Sequence, residues 1–305
     1  MPPLPEADDR CDPAEARACV GSDVFACDAG TLGRRLQACH EGCSHGVCDA
    51  SCTADGVKLI YVVDTNNNFL SFDPRKLPSD PFHRIGKLAC GTDWSRPFSM
   101  AVDRGGVAWV VYDDGELFKV SITDAKCTPS GYVAGGNGLR TFGMGFVTDA
   151  SGGKSETLFI AERGGDHDLA TIDTRATPPT SRRIHAIEAG TENNPELTGT
   201  SEAKLFGFYP RDADPSFVQE IDRASGAARG PRWTLGTSSL GFVSAYAFAQ
   251  WAGTFYIFIT TGDGSSVRAI DPKTGLSRTV MDQIPYRITG AGVSTCAPER
   301  DSGGP

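Results

Sequence analysis

No stretch of this chain approaches the roughly 18 consecutive apolar residues that a membrane-crossing helix requires; the longest apolar runs, LIYVV and TFYIFITT, have the length of strands. Lys and Arg are nowhere gathered into a stripe that could follow phosphates. With 29 basic against 38 acidic residues the net charge is −9, which argues against nucleic acid as a partner. Histidine is scarce. His40 and His45 lie in a cysteine-dense N-terminal stretch, His83 and His185 in outer strands and His167 at a loop tip, so none stands ready as the base beside a Ser or Cys nucleophile. A Gly-rich phosphate loop is lacking as well, because GGNG around Asn137 leads into a strand rather than a helix. The start, MPPLPEADDR, has neither the basic segment nor the apolar core of a signal peptide.

Cysteine, by contrast, is abundant. Seven of the ten fall within the first 52 residues (Cys11, Cys19, Cys27, Cys39, Cys43, Cys48 and Cys52), and Cys90, Cys127 and Cys296 are spread through the rest. HEGCSHGVCDASC interleaves histidine with cysteine, but it has no second C-x-x-C half and its neighbours are small loop formers, so disulfides are a better reading than zinc. Disulfides imply an oxidising compartment, hence a secreted, periplasmic or cell-surface protein whose signal has been removed. Residues 1–10, rich in Pro and acid, read as a flexible spacer behind a cleaved signal or a lipid-modified cysteine, with the anchor left open between lipoprotein and freely secreted forms. Residues 11–52 show no apolar periodicity and are too few to fold without cross-links, so they read as a separate disulfide-rich module. Its C-x7-C, C-x7-C, CHEGCSHGVCDASC pattern resembles the small cysteine-rich modules that precede binding domains in secreted bacterial proteins.

After Thr53 the texture changes to β-branched and aromatic runs separated by Gly, Asp and Asn turns, the sign of short antiparallel strands. A repeat runs through them. FLSFDPRK at Asp73, LFKVSITD at Ser121, LATIDTRA at Asp173, FVQEIDRASG at Asp222 and VRAIDPKTG at Asp271 recur with a period of about fifty residues. Each follows another strand, in LIYVVDT, VAWVVYD, TLFIAER, KLFGFYP and TFYIFITT, so every repeat holds a hairpin. A further strand precedes the hairpin in RPFSMAVDRGG, RTFGMGFVTD, ELTGTSEA and FVSAYAFAQWAG, and a looser one follows it, as in FHRIGKLAC and SRRIHAIE. Four strands at this period make a propeller blade.

The first hairpin has no inner strand ahead of it. YRITGAGVSTCAP, residues 286–298, starts like an inner strand and has no hairpin behind it, so the chain's end supplies the strand missing at its beginning. Such closure removes the two open sheet edges that would otherwise meet unpaired. The expected fold is all-β: a five-bladed β-propeller over 53–298 closed by its C-terminal strand, with a flexible tail at 299–305. This arrangement brings Cys296 to Cys52, a bridge that would lock the ring, while Cys90 and Cys127 border the outer strands of neighbouring blades and are expected to bridge them.

The phrases FSMAVDRGGVAWVVYDDGELFKVSI and AIDPKTG resemble the units of NHL-type and gluconolactonase-like propellers. These families contain lactonases, lyases and pure binding scaffolds, so the resemblance implies a fold and not an activity.

Propeller sites form where inner strands begin and loops converge. Arg96, Arg140 and Arg287 stand there, in RPFSM, RTFGM and RITGA, and a guanidinium suits bidentate recognition of carboxylates, phosphates or sugar hydroxyls. The same arginines could instead bond backbone carbonyls of neighbouring blades. A gluconolactonase-like metal cage would need acids and amides in the channel, yet Ser99, Met100, Gly143, Met144, Thr198, Ala245 and Thr289 occupy the strand starts and only Glu196 is acidic. DTNNNFLSFD has Phe69 where a calcium loop needs Gly and Arg75 where it needs Glu, so it reads as a hairpin turn. Asp73, Asp173, Asp222 and Asp271 read as Asx-turns ending the third strands. The function expected is a non-catalytic exported protein that binds an extracellular glycan, peptide or protein without a cofactor; the alternative is a divergent propeller hydrolase or lyase.

Overall fold

The computed structural model describes residues 10–13, 16–20, 23–38, 43–44, 47–48, 52, 56–91, 94–164, 167–188 and 195–299. The spacer and tail expected at the two ends lie outside the described residues, apart from Arg10 and Glu299.

In the cysteine-rich stretch, β1 (Arg17–Val20), β2 (Asp23–Asp28) and β3 (Thr31–Ala38) form an antiparallel meander, followed by a two-stranded pair of β4 (Cys43–Ser44) and β5 (Val47–Cys48). Cys11 is bridged to Cys27. Val24 is almost wholly buried, and Arg35 pairs with Asp23 at 2.9 Å. The strands are invisible to periodicity because the core they cover is so small that only one or two side chains per strand need be apolar.

Five four-stranded antiparallel sheets follow among the described residues, and together they form a β-propeller. The first takes β6 (Ile60–Asp64), β7 (Asn68–Phe72) and β8 (Phe82–Lys87) from the start of the repeat region. The second comprises β9 (Pro97–Val102), β10 (Val107–Tyr112), β11 (Leu117–Ser121) and β12 (Cys127–Pro129). In the third lie β13 (Phe142–Thr148), β14 (Glu156–Glu162), β15 (Asp168–Asp173) and β16 (Thr180–Ala186). The fourth is built of β17 (Glu196–Gly199), β18 (Leu205–Tyr209), β19 (Phe217–Ile221) and β20 (Ala228–Thr234). The fifth has β21 (Ala245–Trp251), β22 (Thr254–Thr261), β23 (Gly264–Ile270) and β24 (Ser277–Met281). Strand β25 (Ile288–Val293) then joins the first sheet as its innermost strand, pairing antiparallel with β6 from Ile288 opposite Asp64 to Val293 opposite Ile60.

Each sheet packs on two others. Val63 and Phe69 meet Met100 and Val110; Ala101 and Val111 meet Met144 and Ile160; Val147 and Ala161 meet Leu197 and Leu205; Phe208 and Val218 meet Phe248 and Ile257; and Val62 and Leu70 meet Ala247 and Phe258. The last contact joins the fifth sheet to the first and closes the ring. Burial on both faces explains why the middle strands read as unbroken apolar runs, as in IYVVD and VAWVVY. The outermost strands FHRIGK, TSRRIHA and ARGPRWT have one solvent edge, and their basic residues discourage pairing with another chain.

Around the axis the inner strands approach too closely for side chains at several positions. A Cβ on Gly290 would lie 2.9 Å from the backbone of Ser99 and Met100, and one on Gly143 would overlap the Pro195 carbonyl oxygen. ELTG, the inner strand with the weakest sequence signal, is β17, and its four residues are all buried. The repeated aspartates cap turns: Asp73, Asp173 and Asp271 Oδ1 accept the amides of Arg75, Arg175 and Lys273, and Asp222 Oδ1 accepts those of Ala224 and Ser225. Ser121 does the same for Thr123 in the second sheet. Asp64, in the turn that resembles a calcium loop, accepts the amides of Asn66 and Asn68 and closes the β6–β7 hairpin.

Candidate functional site

The propeller has two mouths, one where the inner strands start and one where they end. At the end-side mouth, the segment after β25 crosses the ring as a strap. Thr295 Oγ1 accepts from Arg104 Nη1 (3.1 Å) and donates to Glu156 Oε2 (2.8 Å), while Glu156 Oε1 accepts the Arg104 amide (2.7 Å). The Pro298 carbonyl accepts the Ala252 amide at 2.7 Å, and Glu299 Oε1 accepts both the amide and the hydroxyl of Ser201 at 2.6 Å. The strap is thereby bound to the second, third, fourth and fifth sheets, and Cys296 is bridged to Cys52 ahead of the first. Burial, reinforced by the nearby Asp103, pushes the Glu156 carboxyl up to about 8 against the pull of the hydrogen bonds from Arg104 and Thr295.

The start-side mouth carries no strap among the described residues. Below its rim, Ser99 Oγ of β9 donates across the axis to Glu196 Oε2 of β17 at 2.8 Å, and both residues are buried. Burial holds the Glu196 carboxyl well above the ordinary carboxylate range, with the hydrogen bond from Ser99 acting in the opposite direction. The Tyr246 hydroxyl is likewise raised, first by burial and then by Glu196, with Arg163 acting in the opposite direction. Arg163 lies with its guanidinium carbon 5.0 Å from the centre of the Phe98 ring, and Thr289 Oγ1 donates to the Pro97 carbonyl at 2.9 Å.

Of the arginines singled out by sequence, Arg96 is pinned by its amide to Asp113 Oδ1 (3.0 Å), and its Nη1 donates to the Ser95 carbonyl (2.9 Å). Arg287 Nη2 donates to the Ser244 carbonyl of the neighbouring sheet at 2.8 Å, which is the backbone-bonding role open to it on sequence grounds. Arg140 packs its side-chain stem against Gly115, and its guanidinium has no partner among the described residues. All three are exposed on the start side, as is Arg163, which sequence reasoning missed because it sits at the end of a second strand rather than the start of an inner one. Three exposed apolar side chains also stand on loops that lead into inner strands here: Trp94 at 90%, Phe242 at 73% and Val133 at 65% exposure. Guanidinium groups beside exposed aromatic surface suit recognition of a partner that carries carboxylate or hydroxyl groups.

Cys90 is bridged to Cys127, tying the first sheet to the second, and Cys19 is bridged as well. Among the described residues no three His, Cys, Asp or Glu side chains converge as a metal site, and no helix is long and apolar enough to cross a membrane.

No family model matches the chain. In sequence it is similar to counting factor-associated protein C of Dictyostelium discoideum, with 28% identity over 116 residues, 36% of this chain and 50% of that protein. The chain thus matches about half the length of this relative. Among solved structures, it is similar to one in a nidogen/laminin complex (TM-score 0.48, 12% identity, 79% of this chain and 99% of that one). Others are a Bacteroides thetaiotaomicron protein of unknown function (TM-score 0.46, 12% identity, 90% and 74%) and the calcium-binding protein regucalcin of Agrobacterium tumefaciens (TM-score 0.43, 14% identity, 92% and 89%). At this distance they assign no ligand, and the propeller rests on the sheet topology itself.

Proposed function

We propose that the protein is an exported, non-catalytic binding protein. In this reading residues 53–298 are a five-bladed propeller that presents its start-side mouth to an extracellular glycan, peptide or protein, and residues 11–52 are a module that anchors or extends it. The observation that carries the reading is the asymmetry of the mouths: a strap bonded to four sheets covers one, whereas Arg96, Arg140, Arg163 and Arg287 surround the other together with exposed Trp94 and Phe242. A propeller hydrolase or lyase would need an acid or metal open to substrate at that mouth, and Glu196, which opens the inner strand β17, is only 3% exposed and bonded by Ser99.

The test is a glycan array and a peptide library probed with the intact protein, followed by affinity measurement of the best binder against Arg96→Ala, Arg140→Ala and Arg287→Ala. Each variant is expected to melt as the parent does and at least one to bind about tenfold or more weakly. Unchanged affinity in all three removes this site.

A further inference from the structure

The fourth and fifth sheets touch through aromatic side chains but part toward the end-side face, leaving a cleft of about 440 Å³. One wall is the cross-strand pair Phe206 and Glu220, continued outward by Pro231 and Trp233; the other is the pair Gln250 and Phe255, continued by Pro272 and Lys273. The floor is fixed. Phe206 and Phe255 meet edge to face with centroids 5.0 Å apart, Trp233 lies 5.4 Å from Phe255, and Trp233 Nε1 donates to the Pro272 carbonyl at 3.0 Å.

Part of the polar lining is already engaged within the protein. Lys204 pairs with Glu202 at 3.2 Å, and Glu299 is engaged by Ser201. What remains is Glu220, the Gln250 amide and Lys273. The side chains of Glu220 and Gln250 make no hydrogen bond among the described residues, and both line the cleft, where they are available to a ligand.

We infer that this cleft is a binding site for an uncharged, hydroxyl-rich ligand, a saccharide of one or two rings. An anion would face Glu220 and a cation would face Lys273, so neither is favoured. A sugar ring can lay its C–H face on Trp233 and Pro231 while its hydroxyls donate to Glu220, accept from Lys273 and do both with Gln250. The volume falls within the ~300–1,000 Å³ typical of small-ligand pockets. The cleft opens on the face opposite the arginine-bearing mouth, so it stands independently of the function proposed above.

Saturation-transfer difference NMR on the intact protein with maltose, cellobiose, lactose and N,N′-diacetylchitobiose tests this, with L-phenylalanine as a zwitterionic comparison. At least one disaccharide should bind saturably, and Glu220→Gln and Gln250→Ala should each weaken it by about tenfold. Glu220→Gln conserves shape at a half-buried position, so it decides the matter alone if Gln250→Ala fails to fold. The inference is overturned by absence of transfer from all four disaccharides, by binding of L-phenylalanine alone, or by disaccharide affinity that Glu220→Gln leaves unchanged.

Discussion

Single residues in this protein divide into those whose role is local and those whose role depends on the ring. Asp73, Asp222 and Asp271 are of the first kind: hydrogen bonds from their own turns hold their carboxyls below the ordinary range, the side chain of Arg75 leading for Asp73, Ser225 for Asp222 and the Lys273 amide for Asp271. An Asp recurring at the same place in successive repeats, at the end of the third strand, was enough to identify them. Glu156 and Glu196 are of the second kind, because the groups that surround them come from other sheets. Glu156 has its folded value raised from an ordinary 4.5 to about 8, so the folded protein holds a proton that the unfolded chain releases across that interval. Its contribution is therefore complete below about pH 4.5 and is lost as pH rises toward 8. The melting temperature should fall between pH 5 and 8.5, and Glu156→Gln should flatten that fall; an identical slope in the variant would show that Glu156 does not govern it. The lowered aspartates act in a separate window, with stability lost only as pH drops below their ordinary values.

Among elements, the middle strands were legible because sheets buried on both faces demand apolar residues at every position, and the Gly-Asp-Asn turns between them punctuate the pattern. Strands β1 to β3 of the cysteine-rich stretch were not, since a disulfide replaces most of the apolar core that would have marked them. Glycines in the inner strands are a consequence of the ring that a strand pattern alone does not require. Gly143→Ala would drive a methyl group into the backbone of β17, and Gly290→Ala would do so against β9, where backbone rather than a flexible side chain must yield. Each should destabilise the fold by about 2 kcal/mol or more in denaturant unfolding, whereas Gly262→Ala, with no atom within 4 Å of the added Cβ, should stay within about 0.5 kcal/mol. Equal costs at the three sites would mean that the inner strands are not packed this closely.

The whole molecule is held shut by three devices: antiparallel pairing of β25 with β6, the strap, and the Cys52–Cys296 bridge. The bridge joins positions 244 residues apart, against 37 for Cys90–Cys127. In the chain-entropy picture the longer loop contributes on the order of 5 kcal/mol and the shorter about 4. The longer bridge also holds the strap in place. Cys52→Ser/Cys296→Ser should accordingly lower the denaturation midpoint more than Cys90→Ser/Cys127→Ser and should open residues 294–299 to proteolysis. Should the second pair prove the costlier, pairing of β25 and the strap bonds suffice to close the ring.

The sequence by itself determined the all-β character, the repeat of about fifty residues, the return of the C-terminal strand to the first sheet and the positions of the capping aspartates. These properties follow from neighbours along the chain: alternation, turn chemistry and the count of strands per repeat. Only the tertiary structure decided that Ser99 reaches Glu196 across 97 positions, that Arg287 bonds the Ser244 carbonyl while the Arg140 guanidinium has no described partner, and that the fourth and fifth sheets part to leave a cleft. Such contacts depend on how sheets turn about a common axis and how far their side chains reach, quantities set by packing around the full ring rather than by any one repeat.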